Sequence, residues 1–347
     1  MPASKKSIAQ PEIAYGSKIA FFGATTLLAR GIRSLLESRG FPTSDVKLFG
    51  TESRGVLGEY AGEAIVVSTP DEESIPDLDI AFMCGGVSET SRYLGWAERK
   101  GFIALDLSGA SRGRLNVTTV HAEINPEAIG PEAHIIASPH AVSHNLSSLI
   151  AAVRSAGTIA RVEALALRPA ADMGESAISE LYKQTVALLN FSSIPQEVFG
   201  RQLAFNVLPS QSLPQSRAEE FDRRIQEETA RILGMDEALF AVTSAFVPVF
   251  HGHALSVAVA FDGSVEAKTL AAAMKAARGL RLVEDPGLFS PVEPAGEEGV
   301  AVLGPSEDTH RSERFTFWIF CDNLKDGAAL NAVRVAERIA DMQRARR

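Results

Sequence analysis

The chain has 347 residues, 46% of them hydrophobic and 22% charged, and its formal net charge is −9. These values are typical of a globular protein of two domains, and an acidic balance without a dominant basic surface argues against nucleic-acid or anionic-membrane partners. Two cysteines are too few for a disulfide framework. Because no apolar leader or membrane-length apolar run is present, we expect a cytoplasmic protein.

The first half of the chain alternates short apolar strands with helices, after a polar tail over 1–16 that we expect to be flexible. Strands are predicted at 19–22, 46–49, 64–67, 80–83 and 102–106, and helices at 27–39 and 89–100. This alternation predicts an α/β domain with a mainly parallel sheet covered by helices on both faces. Pro139 marks the expected end of this domain, which spans 17–139.

The second half interleaves strands with long helices. Strands are predicted at 162–167, 244–250 and 254–261, and helices at 144–155, 175–190, 217–233 and 327–344. We therefore expect an α+β domain over 140–321 built on one large mixed sheet. The last segment, 322–347, is expected to fold back and complete the first domain.

Several long stretches carry a resemblance that covers roughly residues 17–340. They are His134–Leu146, Phe199–Pro209, Pro248–His253 and the segment from Phe317 to Glu337. In them the chain resembles the aspartate-semialdehyde dehydrogenase family and is most similar to its Usg-like branch, which lacks the catalytic cysteine. The resemblance implies a Rossmann-like NAD(P)-binding domain, a dimerisation domain and a homodimer. Apolar core positions of the dimerisation domain are expected at Leu203, Phe205 and Val207.

The resemblance also implies four catalytic positions, of which one keeps its residue. Ala141 stands where the family has its nucleophilic cysteine, Arg168 replaces the orienting glutamine, and Phe246 replaces the arginine that holds the substrate carboxylate. Only His253, the proton shuttle, is retained. Alanine cannot form a thioester, phenylalanine cannot pair with a carboxylate, and Arg168 adds a fixed charge. Restoring activity should therefore need at least Ala141→Cys, Arg168→Gln and Phe246→Arg together.

NADP is the cofactor that the resemblance implies. The matching positions are Gly23, Thr25, Thr26, Ser53, Arg54, Gly85, Gly86 and Asn323. Ser53 and Arg54 correspond to the residues that meet the adenosine 2′-phosphate. Thr26 replaces a glycine that normally lets the backbone approach the pyrophosphate, and this obstructs the site. These positions are either nucleotide contacts or turns retained for folding.

Two arginines match positions that bind phosphate in the family. Arg112 corresponds to the arginine that binds an acyl phosphate or inorganic phosphate, and Arg224 falls where the family has a lysine. A small molecule or phosphate is therefore a candidate ligand. Both side chains could instead be solvated surface charges.

Other polar residues near the vacated nucleophile were considered as substitutes. His140, His144, His251 and His253 all map to the walls of the implied cleft, which raises a metal-binding hypothesis. We predict no metal site, because no carboxylate is clearly placed with these histidines. Ser143 is expected to cap a helix rather than to act as a nucleophile, and neither Cys84 nor Cys321 is expected beside His253.

Two hypotheses for function follow from these positions. In the first, the chain is a non-catalytic or repurposed dimeric homologue: either a scaffold, or a ligand sensor that uses the former phosphate and nucleotide sites, with NADP as a possible ligand. In the second, it is an NAD(P)-dependent oxidoreductase that acts on an aldehyde or oxo group of another substrate without a cysteine nucleophile. The vacated Ala141, Arg168 and Phe246 positions favour the first, whereas the retained His253 and Arg112 favour the second.

Overall fold

Two sheets organise the computed structural model, which describes residues 16–213, 218–287, 289, 299–322 and 327–346. The predicted tail over 1–16 lies outside these residues except for Gly16, and so does Asn323. One parallel sheet and one larger mixed sheet, each with helices packed on it, confirm the predicted fold class. Within the described ranges, no helix combines the length and hydrophobicity that a bilayer crossing requires.

The first sheet contains five parallel strands in the order β2-β1-β5-β6-β7. The elements of this half are β1 (Ser17–Phe22), α1 (Leu27–Ser38), β2 (Thr43–Phe49), β3 (Leu57–Tyr60), β4 (Glu63–Val66), β5 (Ile80–Met83), α2 (Val87–Lys100), β6 (Ile103–Asp106) and β7 (Ile135–Ala137). Parallel pairing brings the carboxyl ends of β1, β2 and β5 to one edge. Ligands of doubly wound sheets bind at such an edge.

One strand predicted for this sheet forms but lies in a different sheet. The segment 64–67 was expected to join the parallel sheet, but β4 pairs with β3 in a separate two-stranded hairpin. Ala61 and Gly62 form the turn with φ of 52° and 79°. Two consecutive residues with positive φ match the twist of a hairpin, so the chain reverses there instead of crossing over the sheet.

The second sheet has seven strands within the described residues, in the order β12-β13-β14-β11-β8-β10-β9. The elements of this half are α3 (Ala141–Val153), β8 (Ile159–Arg168), α4 (Glu175–Leu189), β9 (Leu208–Pro209), α5 (Ala218–Leu233), β10 (Phe240–Phe246), β11 (His253–Phe261), α6 (Ala267–Ala276), β12 (Leu280–Leu282), β13 (Val300–Glu307) and β14 (Arg314–Cys321). The pairing of β8 with β10 is parallel and that of β8 with β11 is antiparallel, so the sheet is mixed.

Among the described residues, the helices of this domain cover one face of the mixed sheet. Leu255, Val257 and Val259 alternate along β11 and are fully buried in a core shared with α3, α5 and α6. On the opposite face Leu165 and Trp318 remain 40% and 41% exposed. An apolar sheet face left open in one chain suits contact with another.

The apolar positions expected in this domain are only partly buried. Leu203 is fully buried, but Phe205 is 66% exposed with a φ of 58°, and Val207 is also exposed. All three lie in the segment between α4 and β9 and not in a strand. In the single chain Phe205 and Val207 are therefore not part of a buried core, and their burial at a dimer contact stays a prediction.

The terminal helix α7 (Ala328–Arg346) folds back onto the first sheet. Its residues Ala329 and Val333 are fully buried in the core formed with β1 and α1. Asn331 is also fully buried, and it fixes the docking by accepting from Ala122 N at 2.8 Å and donating to Val120 O and Ser138 Oγ at 2.8 and 3.0 Å.

Replacing Asn331 should therefore weaken the fold. We expect Asn331→Ala to lower the free energy of unfolding by about 2–4 kcal/mol, because three buried polar groups lose their partner. Arg338→Ala, an exposed change on the same helix, is the control and should stay within about 0.5 kcal/mol of the parent. Urea unfolding measures both, and equal small losses in the two variants would contradict the role of Asn331.

Candidate active site

Helix α3 begins at Ala141, the position of the vacated nucleophile, which is only 4% exposed. His140 is the N-cap, and its Nδ1 accepts from Val142 N at 3.2 Å. The helix therefore starts three residues before the predicted position, and the expectation that Ser143 caps it is wrong. Ser143 instead donates to Glu228 Oε2 at 2.6 Å.

The backbone of Gly327 lies against Ala141. Gly327 has a φ of 69°, and a Cβ added to it would stand 2.9 Å from the Ala141 Cβ. A side chain larger than hydrogen at Gly327 would therefore collide with the first turn of α3. Gly327, directly before α7, therefore lies against the position where a nucleophile would stand.

The two other replaced positions contact each other. Arg168 ends β8 and Phe246 ends β10, and these residues are partners in the parallel ladder. The Arg168 Cζ lies 4.3 Å from the Phe246 ring centroid and 3.7 Å from that of Phe221 on α5. The guanidinium is thus held between two aromatic rings, an arrangement stabilised by cation–π attraction.

Asp172 joins Arg168 to the retained histidine. Its Oδ2 accepts from Arg168 Nε at 2.9 Å, and its Oδ1 lies 2.9 Å from His253 Nε2. Burial of the carboxyl opposes ionisation, but His253 and Arg168 together hold the pKa of Asp172 well below its usual range. We name Arg168, Asp172 and His253, with the rings of Phe221 and Phe246, the buried charge network.

Asp172 is a site residue that the sequence reasoning missed, since no carboxylate was expected beside the histidines. The signal was the spacing of four between Arg168 and Asp172. Pro169 ends β8, and the short helical turn Ala170–Met173 then brings the carboxylate back towards Arg168. Residues four apart are close together only where the backbone is helical. Because a strand was predicted up to position 167, no helical turn was expected directly after it.

The four histidines do not form one cluster. His140 lies near His253, with ring centroids 5.8 Å apart, but His144 stacks on His121 at 4.0 Å and His251 is exposed. The expectation that all four line one cleft is therefore wrong. Burial lowers the pKa of His121 to about 3 and also lowers that of His144. Among the described residues, no group of three or more His, Cys, Asp or Glu side chains is placed to hold a metal ion.

Cys321 is nearer to His253 than expected. The two residues are partners in the antiparallel ladder of β11 and β14, so the prediction that Cys321 would not lie beside His253 is wrong for the backbone. Its sulfur accepts from Asn145 Nδ2 at 2.6 Å. Cys84 is buried in the first domain, and burial raises the pKa of its thiol, which disfavours the thiolate.

The loop that carries Arg112 is organised by one buried carboxylate. Asp106 accepts from the backbone N–H groups and hydroxyls of Ser108 and Ser111 and from Gly109 N. Arg112 lies 3.6 Å from Glu227 and 3.8 Å from Glu220 of α5. The loop is therefore held against α5 with its arginine facing acidic side chains.

Arg224 reaches the same loop from α5. Its Nη1 donates to Ser108 O at 3.2 Å, and its Nε donates to Glu228 Oε1 at 2.6 Å. Burial alone would lower the pKa of Arg224, but the charge and hydrogen bond of Glu228 raise it. The structure thus brings both predicted phosphate-binding arginines to one loop, each facing a carboxylate.

The predicted nucleotide positions meet at the carboxyl edge of the first sheet. Gly23 has a φ of 74°, and a Cβ on it would stand 2.5 Å from Gly85 N, so two loop backbones pass in close contact there. Thr26 caps α1, because its hydroxyl accepts from Ala29 N at 3.2 Å and donates to Gly23 O at 3.0 Å. Thr25 lines a neighbouring cavity of about 760 Å³ between α1 and the β3–β4 hairpin.

The start of α2 is open. Its N-cap, Gly86, provides no capping side chain, and there is open space where its Cβ would be. Ser53 and Arg54 follow β2 at the same sheet edge, partly buried and exposed respectively. Glu89 in the first turn of α2 places its carboxylate over Gly85, so the N–H groups at this helix start already face a negative charge.

We expect Asp172→Asn to destabilise the protein by about 3 kcal/mol at pH 7, because Arg168 would remain buried without its anion. The pKa of Asp172 is lower in the folded chain than in the unfolded chain, so its contribution is present above about pH 4 and fades as the pH falls below it. Urea unfolding at several pH values should show the gap to the parent narrowing in acid. Asp262→Asn, at an exposed site, is the control, and a gap that ignores pH would contradict the assignment.

Comparison with known proteins shows which proteins share this architecture. Residues 150–325 match "Semialdehyde dehydrogenase, dimerisation domain" and residues 18–131 match "Semialdehyde dehydrogenase, NAD binding domain". An aspartate-semialdehyde dehydrogenase of Rickettsia bellii is 28% identical over 330 residues, which cover 92% of this chain and 97% of the relative. A USG-1 protein homolog of Azotobacter vinelandii is 29% identical over 324 residues, 92% of this chain and 96% of the relative.

A solved structure gives the same result. The crystal structure of aspartate semialdehyde dehydrogenase II from Vibrio cholerae is similar with a TM-score of 0.87 at 25% identity, covering 94% of this chain and 99% of that one. Sequence match and fold agree over nearly the whole length of both proteins. The chain therefore belongs to the semialdehyde dehydrogenase family.

Proposed function

We propose that this protein is a cytoplasmic, homodimeric semialdehyde dehydrogenase homologue that binds a nicotinamide dinucleotide but does not use the thioester route. The contact between the replaced residues Arg168 and Phe246 carries the proposal. An eroded site would lose its residues independently. Here the new arginine is held by the new aromatic ring and neutralised by Asp172, so the replacements form one structure.

The chemistry of the family needs groups that this arrangement does not offer. Ala141 has no nucleophilic atom, and covalent aldehyde chemistry requires one. Phe246 cannot bind a substrate carboxylate, and the guanidinium of Arg168 already faces Asp172 and lies between two rings. A carboxylate substrate would have to displace Asp172 from Arg168, which makes binding in the family's orientation unfavourable.

A nicotinamide dinucleotide fits the first domain. The backbone turn at Gly23 would hold its phosphates, and the glycine pair Gly85–Gly86 passes close beside this turn. When bound, the nicotinamide gives or accepts a hydride. Arg112 and Arg224 would place a phosphate or another small anion at the Ser108 loop, provided that it competes with Glu220, Glu227 and Glu228.

A second candidate function rests on His253. Its Nε2 lies 2.9 Å from the Asp172 carboxylate, and by hydrogen-bond geometry neither of its buried ring nitrogens has a partner among the described residues. A histidine oriented by a carboxylate can move a proton to or from a carbonyl oxygen. The chain would then be an oxidoreductase in which hydride transfer is direct and His253 holds the proton.

The proposal predicts no turnover of aspartate semialdehyde with phosphate and NAD or NADP by the unmodified protein. Ala141→Cys alone should remain inactive, because losses within one catalytic unit overlap rather than add. The triple variant Ala141→Cys, Arg168→Gln, Phe246→Arg should still be impaired, since the new arginine would pair with Asp172. Adding Asp172→Asn should give the first measurable rate.

Nucleotide reduction followed at 340 nm measures these rates. A His253→Gln change in the most active variant is the control, and it should abolish the regained rate. Turnover of aspartate semialdehyde by the unmodified protein would contradict the proposal. Turnover of another aldehyde or ketone that is lost in His253→Gln would favour the second candidate.

We predict a homodimer whose contact includes the open face of the mixed sheet. Leu165→Glu should shift the protein towards monomer, because it places a charge in the buried apolar contact. Leu115→Glu, at a fully exposed apolar residue of the first domain, is the control and should leave the mass unchanged. Light scattering after size exclusion at micromolar concentration measures both, and a monomeric parent would contradict the prediction.

A further inference from the structure

We propose that the dinucleotide site selects NAD over NADP and that Glu89 determines this preference. The inference rests on the proposed nucleotide binding and goes beyond it, because the sequence resemblance implies NADP through Ser53 and Arg54. It concerns the group on the adenosine ribose: a free 2′-hydroxyl or a 2′-phosphate.

The topology places Glu89 beside the position of the ribose. In the sheet order, β1 lies between β2 and β5, and in doubly wound folds the adenosine ribose is recognised near the end of the second strand. Thr51 follows β2 by two residues, and Glu89 belongs to the first turn of α2, which follows β5. Thr51 Oγ1 donates to Glu89 Oε1 at 2.7 Å. The Glu89 side chain therefore links the start of α2 to the turn after β2.

The Glu89 side chain is fixed in this place. A Cβ on Gly85 would collide with Glu89 Oε2, so the carboxylate lies directly over the glycine backbone. The N-terminus of α2 favours a negative charge there. Tyr93, one turn along the helix, has a raised pKa because of its burial and, to a smaller extent, because of the charge of Glu89.

This arrangement should distinguish NAD from NADP by the charge at the ribose 2′ position. A carboxylate can accept a hydrogen bond from a free ribose 2′-hydroxyl. A 2′-phosphate carries close to two negative charges and would be repelled by Glu89. Arg54, the expected phosphate partner, is exposed. As an exposed side chain it gains little from pairing with a 2′-phosphate in water, whereas the Glu89 carboxylate is held in place by Thr51.

Titration of the full-length protein with NADH and NADPH, followed by nicotinamide fluorescence, tests the inference. We expect the parent to bind NADH at least about tenfold more tightly than NADPH, which corresponds to about 1.4 kcal/mol. Glu89→Gln should bring this ratio close to one, mainly through tighter NADPH binding. Calorimetry with adenosine 2′,5′-bisphosphate and 5′-AMP should show the same change without the nicotinamide.

Two variants serve as controls. Glu98→Gln removes an exposed carboxylate from the same helix and should keep the parent ratio. Thr51→Val removes the hydrogen bond to Glu89 but keeps the charge, so NADH should remain preferred. If Glu89→Gln does not fold, this variant still tests the site, because a carboxylate released from Thr51 should discriminate less strongly.

Three outcomes would overturn the inference, each at a different level. NADPH binding as tight as NADH in the parent would overturn the selectivity but leave nucleotide binding intact. A preference unchanged in Glu89→Gln would overturn the role of Glu89. Binding of neither nucleotide would overturn the proposed nucleotide site and the inference with it.

Discussion

The guanidinium of Arg168, whose side chain is only 11% exposed, is the constraint on which the rest of the site depends. A permanent positive charge out of water is strongly unfavourable unless an anion and hydrogen bonds compensate it. Asp172 provides the anion, and the rings of Phe221 and Phe246 provide faces that attract a cation. With Arg168 at this position, the neighbouring residues must compensate its charge. Asp172 also lies 2.9 Å from His253 Nε2 and so links the arginine to the histidine.

Under the proposed assignment of Arg168 and Phe246 to catalytic positions of the family, this dependence would explain why both residues changed together. An arginine at position 246 would meet the guanidinium of Arg168, whereas a phenylalanine there stacks on it. A glutamine at position 168 would leave Asp172 facing only His253. Under the proposal, the site is a differently organised structure rather than an active site with one missing atom.

The sequence predicted the two sheets, most helices and the family, because these follow from periodicity over long segments. It did not predict contacts that depend on short irregular turns. The β3–β4 hairpin was missed because it depends on a two-residue turn, Ala61–Gly62. Asp172 was missed because its position depends on a short helical turn that follows a strand at Pro169. Glu89 gave no signal, since its partner Thr51 is 38 residues away. The roles of Ala141, Arg168, Phe246 and the nucleotide positions remain predictions, as does the domain boundary at 139–140.

A double-mutant cycle between Arg168 and Phe246 tests the central claim most directly. The free energy of unfolding would be measured for the parent, Arg168→Gln, Phe246→Leu and the double variant. If the two replaced positions form one unit, the losses should fail to add by about 0.5–2 kcal/mol, in the direction of a favourable interaction in the parent. Losses that add to within about 0.3 kcal/mol would show that the two residues replaced the family's catalytic groups independently.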